Sequence, residues 1–329
     1  PQAAASEERF QRLNGEEMSK QFSRTFRVRW SETNALGQVD FAGYLRYLIE
    51  TAWDWGAANQ LSIAENEALG LAWVIRETEL TLFRPLVANE IFDFTIWLLN
   101  WRRARGTRCF ELRLKDGNEI AAQGVQQVVT LDSKTLRPTR VSEDLLDNFL
   151  MENPPVIKQR KFPNFQNQLQ TAFVTQREVE WRDLDPLEHV NNATYAAYAE
   201  NAAAQALASL GWSTSQFKTE GIAVSNQRFH IQYQSPAFWG DELNVATCLV
   251  KLKPTGGTWT IEIKRAADGT SIAQCVIDWS VANRVNGEEQ TVPQSLFRAL
   301  ESGLLLTSKR MPPNLRLWHD RPDGRRVPG

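Results

Sequence analysis

The sequence is poor in the residues from which many protein sites are built. Its 329 residues include three cysteines and three histidines. Cys109, Cys248 and Cys275 are scattered and form no CxxC pair, so neither a disulfide framework nor a thiolate zinc site is expected. Three separated histidines make no metal pattern either. The sequence therefore predicts no metal, no redox cofactor and reduced, buried thiols in a cytoplasmic protein.

Long hydrophobic runs and a charge excess are also missing. No run of about 18 apolar residues occurs, so we expect no membrane insertion. The polar, acidic first residues lack the apolar segment of a secretory signal. A formal net charge of −2 argues against a nucleic-acid partner. The G-x-S-x-G, G-x-x-x-x-G-K-[ST] and G-x-G-x-x-G motifs are absent, which excludes an α/β-hydrolase and disfavours the common nucleotide folds.

The chain repeats itself. The segment VRWSETNALGQVDFAGYLRYLIETA (28–52) aligns without gaps on VEWRDLDPLEHVNNATYAAYAENAA (179–203). The same separation aligns Gly106-Thr107 with Gly257-Thr258, and one extra residue in the second copy is needed to align DGNEIA (116–121) with DGTSIA (268–273). A register held over this length indicates a duplicated domain.

Each copy predicts one long helix followed by a run of antiparallel strands. A short alternating strand leads into a polar turn, a helix of 3.6-residue periodicity and then segments rich in Val, Ile, Thr and Trp between turn signals. This order is typical of an α+β fold with the sheet wrapped on the helix. The boundaries are an N-terminal extension (1–21), domain 1 (22–150), a linker (151–172), domain 2 (173–306) and a C-terminal tail (307–329).

The most polar turn of the sequence is DLDPLEHVNNATY, residues 183–195, just before the second long helix. A helix N-terminus offers unpaired N–H groups and the positive end of the helix dipole, where a developing oxyanion can be held. Asp185 lies seven residues before Asn192 at the predicted helix start. It could activate a water molecule beside a bound carbonyl carbon or attack that carbon itself.

On these residues the chain resembles the tandem hot-dog thioesterases that act on acyl-carrier-protein and acyl-CoA thioesters, with a turn like that of the hydroxybenzoyl-CoA thioesterases. WRDLDPLEHVNNATY is similar to the D-x-D…HVNN-x-x-Y signature at the start of the hot-dog helix. The stretches 83–112 and 131–149 resemble segments of the acyl-carrier-protein enzymes. The resemblance covers about residues 22–300 and implies two hot-dog domains that form an intrachain pseudo-dimer.

The resemblance implies a role for three residues. Asp185 falls on the base or nucleophile, His189 on the histidine of the same turn, and Asn192 on the backbone N–H that faces the thioester oxygen. Two departures from the plant pattern, Leu187 for an asparagine and Pro236-Ala237 for a glutamate, favour simpler aspartate-centred chemistry. The implied partner is an acyl-CoA or acyl-carrier-protein substrate, and the chain is expected as a monomer or a homodimer.

The first copy lacks the acid. Asn34 stands where Asp185 stands, and Gln38 where His189 stands. Because an amide cannot take up a proton, we expect domain 1 to be catalytically silent. The resemblance to the hot-dog proteins implies that residues of domain 1, Asn34 and Gln38 among them, line the substrate site. We expect Asn191 and Trp73 to contact the substrate too.

Four arginines follow one another in NWRRARGTR, residues 100–108. As a predicted exposed hairpin, this stretch is either a solvated face or a phosphate site for coenzyme A or an acidic carrier protein. The residues are Arg102, Arg103, Arg105 and Arg108.

Other interpretations stay open. Asp185 could merely cap the helix, with Pro186 in its first turn. A hot-dog dehydratase is a rival enzyme, although its HFPGHP turn is absent. A non-catalytic acyl-thioester-binding or regulatory protein is the rival from another class.

Overall fold

The computed structural model describes residues 20–163 and 172–303. The chain divides into two units, of which the first extends to Gln159 and the second begins at Arg160. This boundary lies inside the segment interpreted as a linker. The predicted C-terminal tail lies outside the described residues, as do residues 1–19 of the predicted N-terminal extension and 164–171 of the linker.

The first unit is one long helix against a five-stranded antiparallel sheet in the order β1-β3-β4-β5-β2. Its strands are β1 (Gln21–Arg27), β2 (Leu71–Leu82), β3 (Ile91–Arg102), β4 (Arg105–Leu114) and β5 (Ile120–Asp132). Its helices are α1 (Phe41–Ala58), α2 (Ile63–Leu69) and the short α3 (Glu143–Asp147).

The second unit repeats this plan with the order β6-β8-β9-β10-β7 and a short strand paired to β10. Its strands are β6 (Phe173–Glu178), β7 (Ile222–Tyr233), β8 (Glu242–Lys253), β9 (Gly256–Arg265), β10 (Ser271–Asn283) and β11 (Glu289–Gln290). Its helices are α4 (Asn192–Ser209), α5 (Thr214–Thr219) and α6 (Gln294–Gly303).

The long helices begin at side-chain caps and bury one face. Asp40 accepts the N–H of Gly43 at 2.8 Å at the start of α1. Asn191 accepts the N–H of Ala193 at 2.9 Å at the start of α4. Such caps satisfy N–H groups that the helix itself leaves unpaired. Aromatic side chains dominate the buried face of α1, whereas alanines dominate that of α4.

Equivalent residues of the two units are separated by a constant number of positions in the sequence. Helix α1 begins at residue 41 and α4 at residue 192, and β5 begins at residue 120 and β10 at residue 271, so both pairs differ by 151 positions. The extra residue expected before DGTSIA is therefore wrong. The two turns have equal length, because equivalent hydrogen bonds close them. The N–H of Leu114 donates to the carbonyl of Glu119, and the N–H of Arg265 donates to that of Thr270. Only the Asp-Gly dipeptide is shifted by one position within the second turn.

None of the helices in the described ranges is long and apolar enough to cross a membrane.

Candidate active site

The polar turn of the second unit folds back on itself before α4. The N–H of Asp185 donates to the carbonyl of His189 at 3.0 Å, and the N–H of Asn191 donates to that of Asp183 at 2.9 Å. Val190 then donates to the carbonyl of Ala237 at 2.9 Å, which ties the turn to the end of β7. This path brings Asp185 beside the residues that open the helix.

One oxygen of the Asp185 carboxylate is used in the turn and the other is not. Oδ1 accepts the N–H of Leu187 at 2.9 Å, as in an Asx turn. Within the described residues, no hydrogen bond involves Oδ2. The side chain is 18% exposed, so the carboxylate is partly shielded but reachable. An oxygen in this state can accept a proton from a water molecule or attack a carbonyl carbon.

At the helix start, the backbone N–H of Asn192 has no hydrogen-bond partner among the described residues. Asn191 is the cap of α4, so the alternative that Asp185 caps this helix is wrong. The N–H of Ala193 goes to the Asn191 side chain and that of Thr194 to the Asn191 carbonyl. Among the hydrogen bonds of the described residues, none uses the N–H of Asn192. That group remains available to a ligand at the positive end of the helix dipole.

His189 lies next to the carboxylate. Its Nδ1 is 3.5 Å from Oδ1 of Asp185, and its side chain is 31% exposed. The two side chains are thus within electrostatic reach without a short hydrogen bond.

The other acid of the turn has a structural role. Asp183 Oδ2 accepts the Tyr198 hydroxyl at 2.6 Å and the N–H of Glu180 at 2.9 Å. In the first unit Glu32 makes the same bonds to the Tyr47 hydroxyl and a backbone N–H. Because both units keep this bond, the acid at this position supports the fold whether or not the turn has Asp185.

Two tyrosines near Asp185 had no predicted role. Burial, together with the nearby charges of Asp241 and Asp185, raises the pKa of the Tyr195 hydroxyl to about 12, so the group is protonated at neutral pH. The Tyr233 hydroxyl donates to the carbonyl of Asn192 at 3.1 Å and thereby helps to fix the first residue of α4. Position 82, which corresponds to Tyr233, is a leucine.

The equivalent turn of the first unit has the same shape with an amide in place of the acid. Asn34 Oδ1 accepts the N–H of Leu36 at 2.9 Å and that of Gln38 at 3.3 Å. The N–H of Asn34 donates to the carbonyl of Gln38 at 2.8 Å. Asn34 is exposed, and Gln38 forms a β-bridge with Val87. The Asx turn therefore needs only one side-chain oxygen, which an amide supplies as well as a carboxylate does.

A cavity opens in the first unit between α1 and the sheet. It contains about 890 Å³ of space free of protein atoms, part of which is open solvent. Tryptophan and aliphatic side chains form most of its wall: Ile49, Trp53, Trp55, Trp73, Ile75, Leu98, Trp101, Val128 and Phe149. Trp73, the expected pocket wall, is thus in the wall, with its indole N–H donating to Asn66 Oδ1 at 2.7 Å.

The four arginines of residues 100–108 do not act together. Arg102, Arg103 and Arg105 are exposed at the β3–β4 hairpin. Arg108 instead lines the cavity. The placement of Arg108 on an exposed hairpin was therefore wrong, because it lies further along β4, opposite Leu98 and Gln126 on the face that is turned to α1.

The equivalent region of the second unit is filled by indole rings. Trp259 corresponds to Arg108 and Trp279 to Val128, and these tryptophans are 1% and 2% exposed. Their ring centroids lie 6.1 Å apart in a stacked arrangement. The tryptophans of the first unit surround a cavity, whereas these two occupy the corresponding space.

No cluster of three or more metal-ligating side chains occurs in the described parts of the chain.

The family model of the thioesterase-like superfamily matches residues 28–149 and 179–302, one segment in each unit. The chain belongs to this superfamily, and both units are hot-dog domains. The resemblance inferred from the HVNN turn is thus confirmed. A search of the curated proteins finds no significant match.

Solved structures of double hot-dog proteins share the fold at low sequence identity. An oleoyl thioesterase from Lactobacillus plantarum is 16% identical, with a TM-score of 0.68 over 79% of this chain and 96% of that one. A 12:0-ACP thioesterase from Umbellularia californica is 17% identical, with a TM-score of 0.66 over 80% of this chain and 98% of that one. An acyl-ACP thioesterase from Bacteroides thetaiotaomicron is 16% identical, with a TM-score of 0.66 over 79% and 98%.

Proposed function

We propose that the protein hydrolyses an acyl thioester of coenzyme A or of an acyl carrier protein. Asp185 is the general base or the nucleophile, the backbone N–H of Asn192 binds the developing oxyanion, and His189 assists. The observation that supports this assignment best is the pair of unused groups in one turn: a carboxylate oxygen of Asp185 and the N–H at the first residue of α4.

The chemistry follows from the charges that these two groups bring. Attack on a thioester carbonyl places negative charge on its oxygen, and a fixed N–H donor at a helix N-terminus stabilises that charge more than it stabilises the ground state. The free oxygen of Asp185 either removes a proton from the attacking water or bonds to the carbonyl carbon and gives an anhydride that water then hydrolyses. In both routes the C–S bond breaks, and the thiolate leaves and takes up a proton. His189, whose Nδ1 is 3.5 Å from the Asp185 carboxylate, assists this step from within electrostatic reach.

The apolar cavity of the first unit supplies a place for the acyl group. Its wall of indole rings and aliphatic side chains suits a hydrocarbon or aromatic group, whose transfer from water is favourable by about 25 cal/mol per Å² of buried apolar surface. We assign binding of the acyl group to this cavity.

Asp185→Asn tests the function with little risk to the fold. Asn34 makes the same Asx turn in the first unit, so the substitution keeps the hydrogen bond to Leu187 and removes only the basicity. We expect the wild type to release free thiol from medium- or long-chain acyl-CoA or acyl carrier protein, followed with a thiol-reactive dye. The variant should lose at least about 100-fold in kcat with little change in KM.

Asp132→Asn is the matched control, since this carboxylate also accepts backbone N–H groups, those of Lys134 and Thr135, and belongs to neither polar turn. Turnover should stay within about twofold of the wild type. Thiol release that is unchanged in Asp185→Asn would disprove the role of Asp185. If the wild type binds acyl thioesters and releases no thiol from either carrier, the non-catalytic binding protein is the correct alternative.

A further inference from the structure

The cavity of the first unit contains a cation that hydrocarbon binding does not require. Arg108 reaches the cavity from β4, and its Nε donates to Gln126 Oε1 at 2.6 Å. Gln126 is itself held, because its Nε2 donates to Thr78 Oγ1 at 3.0 Å. These two bonds fix the direction of the Arg108 side chain.

The two terminal nitrogens of this guanidinium have no protein partner. Within the described residues, the bond to Gln126 is the one side-chain hydrogen bond of Arg108, and no carboxylate lies within 4 Å of it. Burial lowers the pKa of Arg108 to about 10, so the group still has its charge at neutral pH. The side chain is half-buried, and a charge that is partly withdrawn from water without a counter-ion is unfavourable.

The rest of the wall does not compensate this charge. Asn66 donates to the carbonyls of Leu61 and Ser62 and accepts the indole N–H of Trp73, so its polar groups are already engaged. Among the described residues that line the cavity, Arg108 alone is charged. A purely hydrocarbon ligand would remove the remaining solvent from the guanidinium without providing a hydrogen-bond acceptor in its place.

The hot-dog fold does not require an arginine at the position of Arg108. The second unit has the same strand, and Trp259 at the equivalent position packs as a fully buried ring. An apolar side chain at this place is thus compatible with a hot-dog domain. The charge of Arg108 points to a ligand.

We propose that Arg108 makes the cavity of the first unit selective for acyl groups that have a carboxylate at the end remote from the thioester. The two free nitrogens of the guanidinium present a fork that matches a carboxylate with two parallel hydrogen bonds. The indole and aliphatic wall contacts the methylene chain. This assignment rests on the proposed function for the statement that the ligand is an acyl group, and it adds the substrate class.

The test compares two ligands that differ only in the presence of the distal carboxylate. Monomethyl decanedioate and methyl decanoate have the same chain and the same ester, and only the former has a free carboxylate. We expect the wild type to bind monomethyl decanedioate about 10- to 100-fold more tightly by isothermal titration calorimetry. Arg108→Met should abolish this preference, and Arg108→Lys should restore part of it. Arg113→Met, which removes a guanidinium from the same strand outside the cavity wall, should keep the preference.

Three results would overturn the proposal. One is equal binding of the two esters by the wild type, and another is an unchanged ratio in a folded Arg108→Met protein, with folding verified by circular dichroism. The third is methyl 10-hydroxydecanoate binding as tightly as the carboxylate, because that would assign Arg108 to a neutral acceptor.

Hydrolysis of decanoyl-CoA and of the corresponding ω-carboxyacyl-CoA separates this proposal from the proposed function. Selective binding without any thiol release would leave the ligand class intact and refute the thioesterase. Thiol release at equal kcat/KM from both thioesters would refute the selectivity alone.

Discussion

At one position of the shared fold the first unit has Arg108 and the second has Trp259, and at another the first has Asn34 and the second Asp185. The first unit thus keeps an open, apolar cavity and a turn without an acid. The second fills the corresponding space with stacked indole rings and has the acid. After a duplication, each copy can lose what the other retains. The comparison shows that the open cavity and the acid lie in different copies of one backbone.

A pair of polar residues, one in α4 and one in β7, extends this difference. Ile49 and Ile75, which line the cavity of the first unit, correspond to Glu200 and Asn226 in the second. There the Asn226 amide donates to Glu200 Oε1 at 2.8 Å. An apolar contact that forms a cavity wall is thus replaced by a hydrogen bond between helix and strand.

Exchange of the residues at the cavity position should have the largest effect. Trp259→Arg places a charge in a space that is 1% exposed and removes the stacking on Trp279. We expect a loss of about 4 kcal/mol or more in the free energy of unfolding of the second unit, measured by denaturant titration.

Arg108→Met is the matched change in the first unit. It relieves an uncompensated charge but leaves Gln126 without its donor, so the free energy of unfolding should change by less than about 2 kcal/mol. If both substitutions destabilise equally, the cavity of the first unit is as tightly packed as its counterpart, and the difference between the units disappears.

Asn191 should show a smaller effect, and its variants separate capping from substrate contact. Asn191→Ala removes the acceptor for the N–H of Ala193 and should reduce the free energy of unfolding by about 1 kcal/mol. Asn191→Ser retains a capping oxygen, so both stability and kcat/KM should remain close to wild type. A large loss of kcat/KM in a stable Asn191→Ser protein would show instead that the amide contacts the substrate.

Local patterns in the sequence predicted the duplication and the turn, and long-range packing decided the rest. The HVNN turn is visible because its residues interact with one another within ten positions. The prediction for Arg108 was wrong because it grouped the four arginines of residues 100–108 by residue type alone. The available signal was strand alternation, which puts Arg108 on the face of Gly106, Phe110 and Leu112, all buried. Tyr233 had no such signal, since its bond to Asn192 joins residues 41 positions apart.

The smallest expected effect concerns the backbone of the polar turn in the second unit. Glu188 has a φ of 60°, in the left-handed region, where its counterpart Gly37 has a φ of 74°. A side chain in this region is strained by roughly 1 kcal/mol, whereas glycine is not, although glycine gains entropy in the unfolded chain. Glu188→Gly should therefore raise the free energy of unfolding by a few tenths of a kcal/mol to about 1 kcal/mol.

Gly37→Glu is the reciprocal change and should lower the free energy of unfolding by about 1 kcal/mol. Denaturant midpoints of both variants give the two values, and opposite signs are required if the turns share one backbone. The kcat of Glu188→Gly then tests whether the strained residue contributes to catalysis. If Glu188→Gly stabilises the protein but lowers kcat, the strained residue helps to hold Asp185 at the substrate, as strain at functional sites often does. If kcat is unchanged, the fixed hydrogen bonds around Asp185 and Asn191 suffice to position the acid.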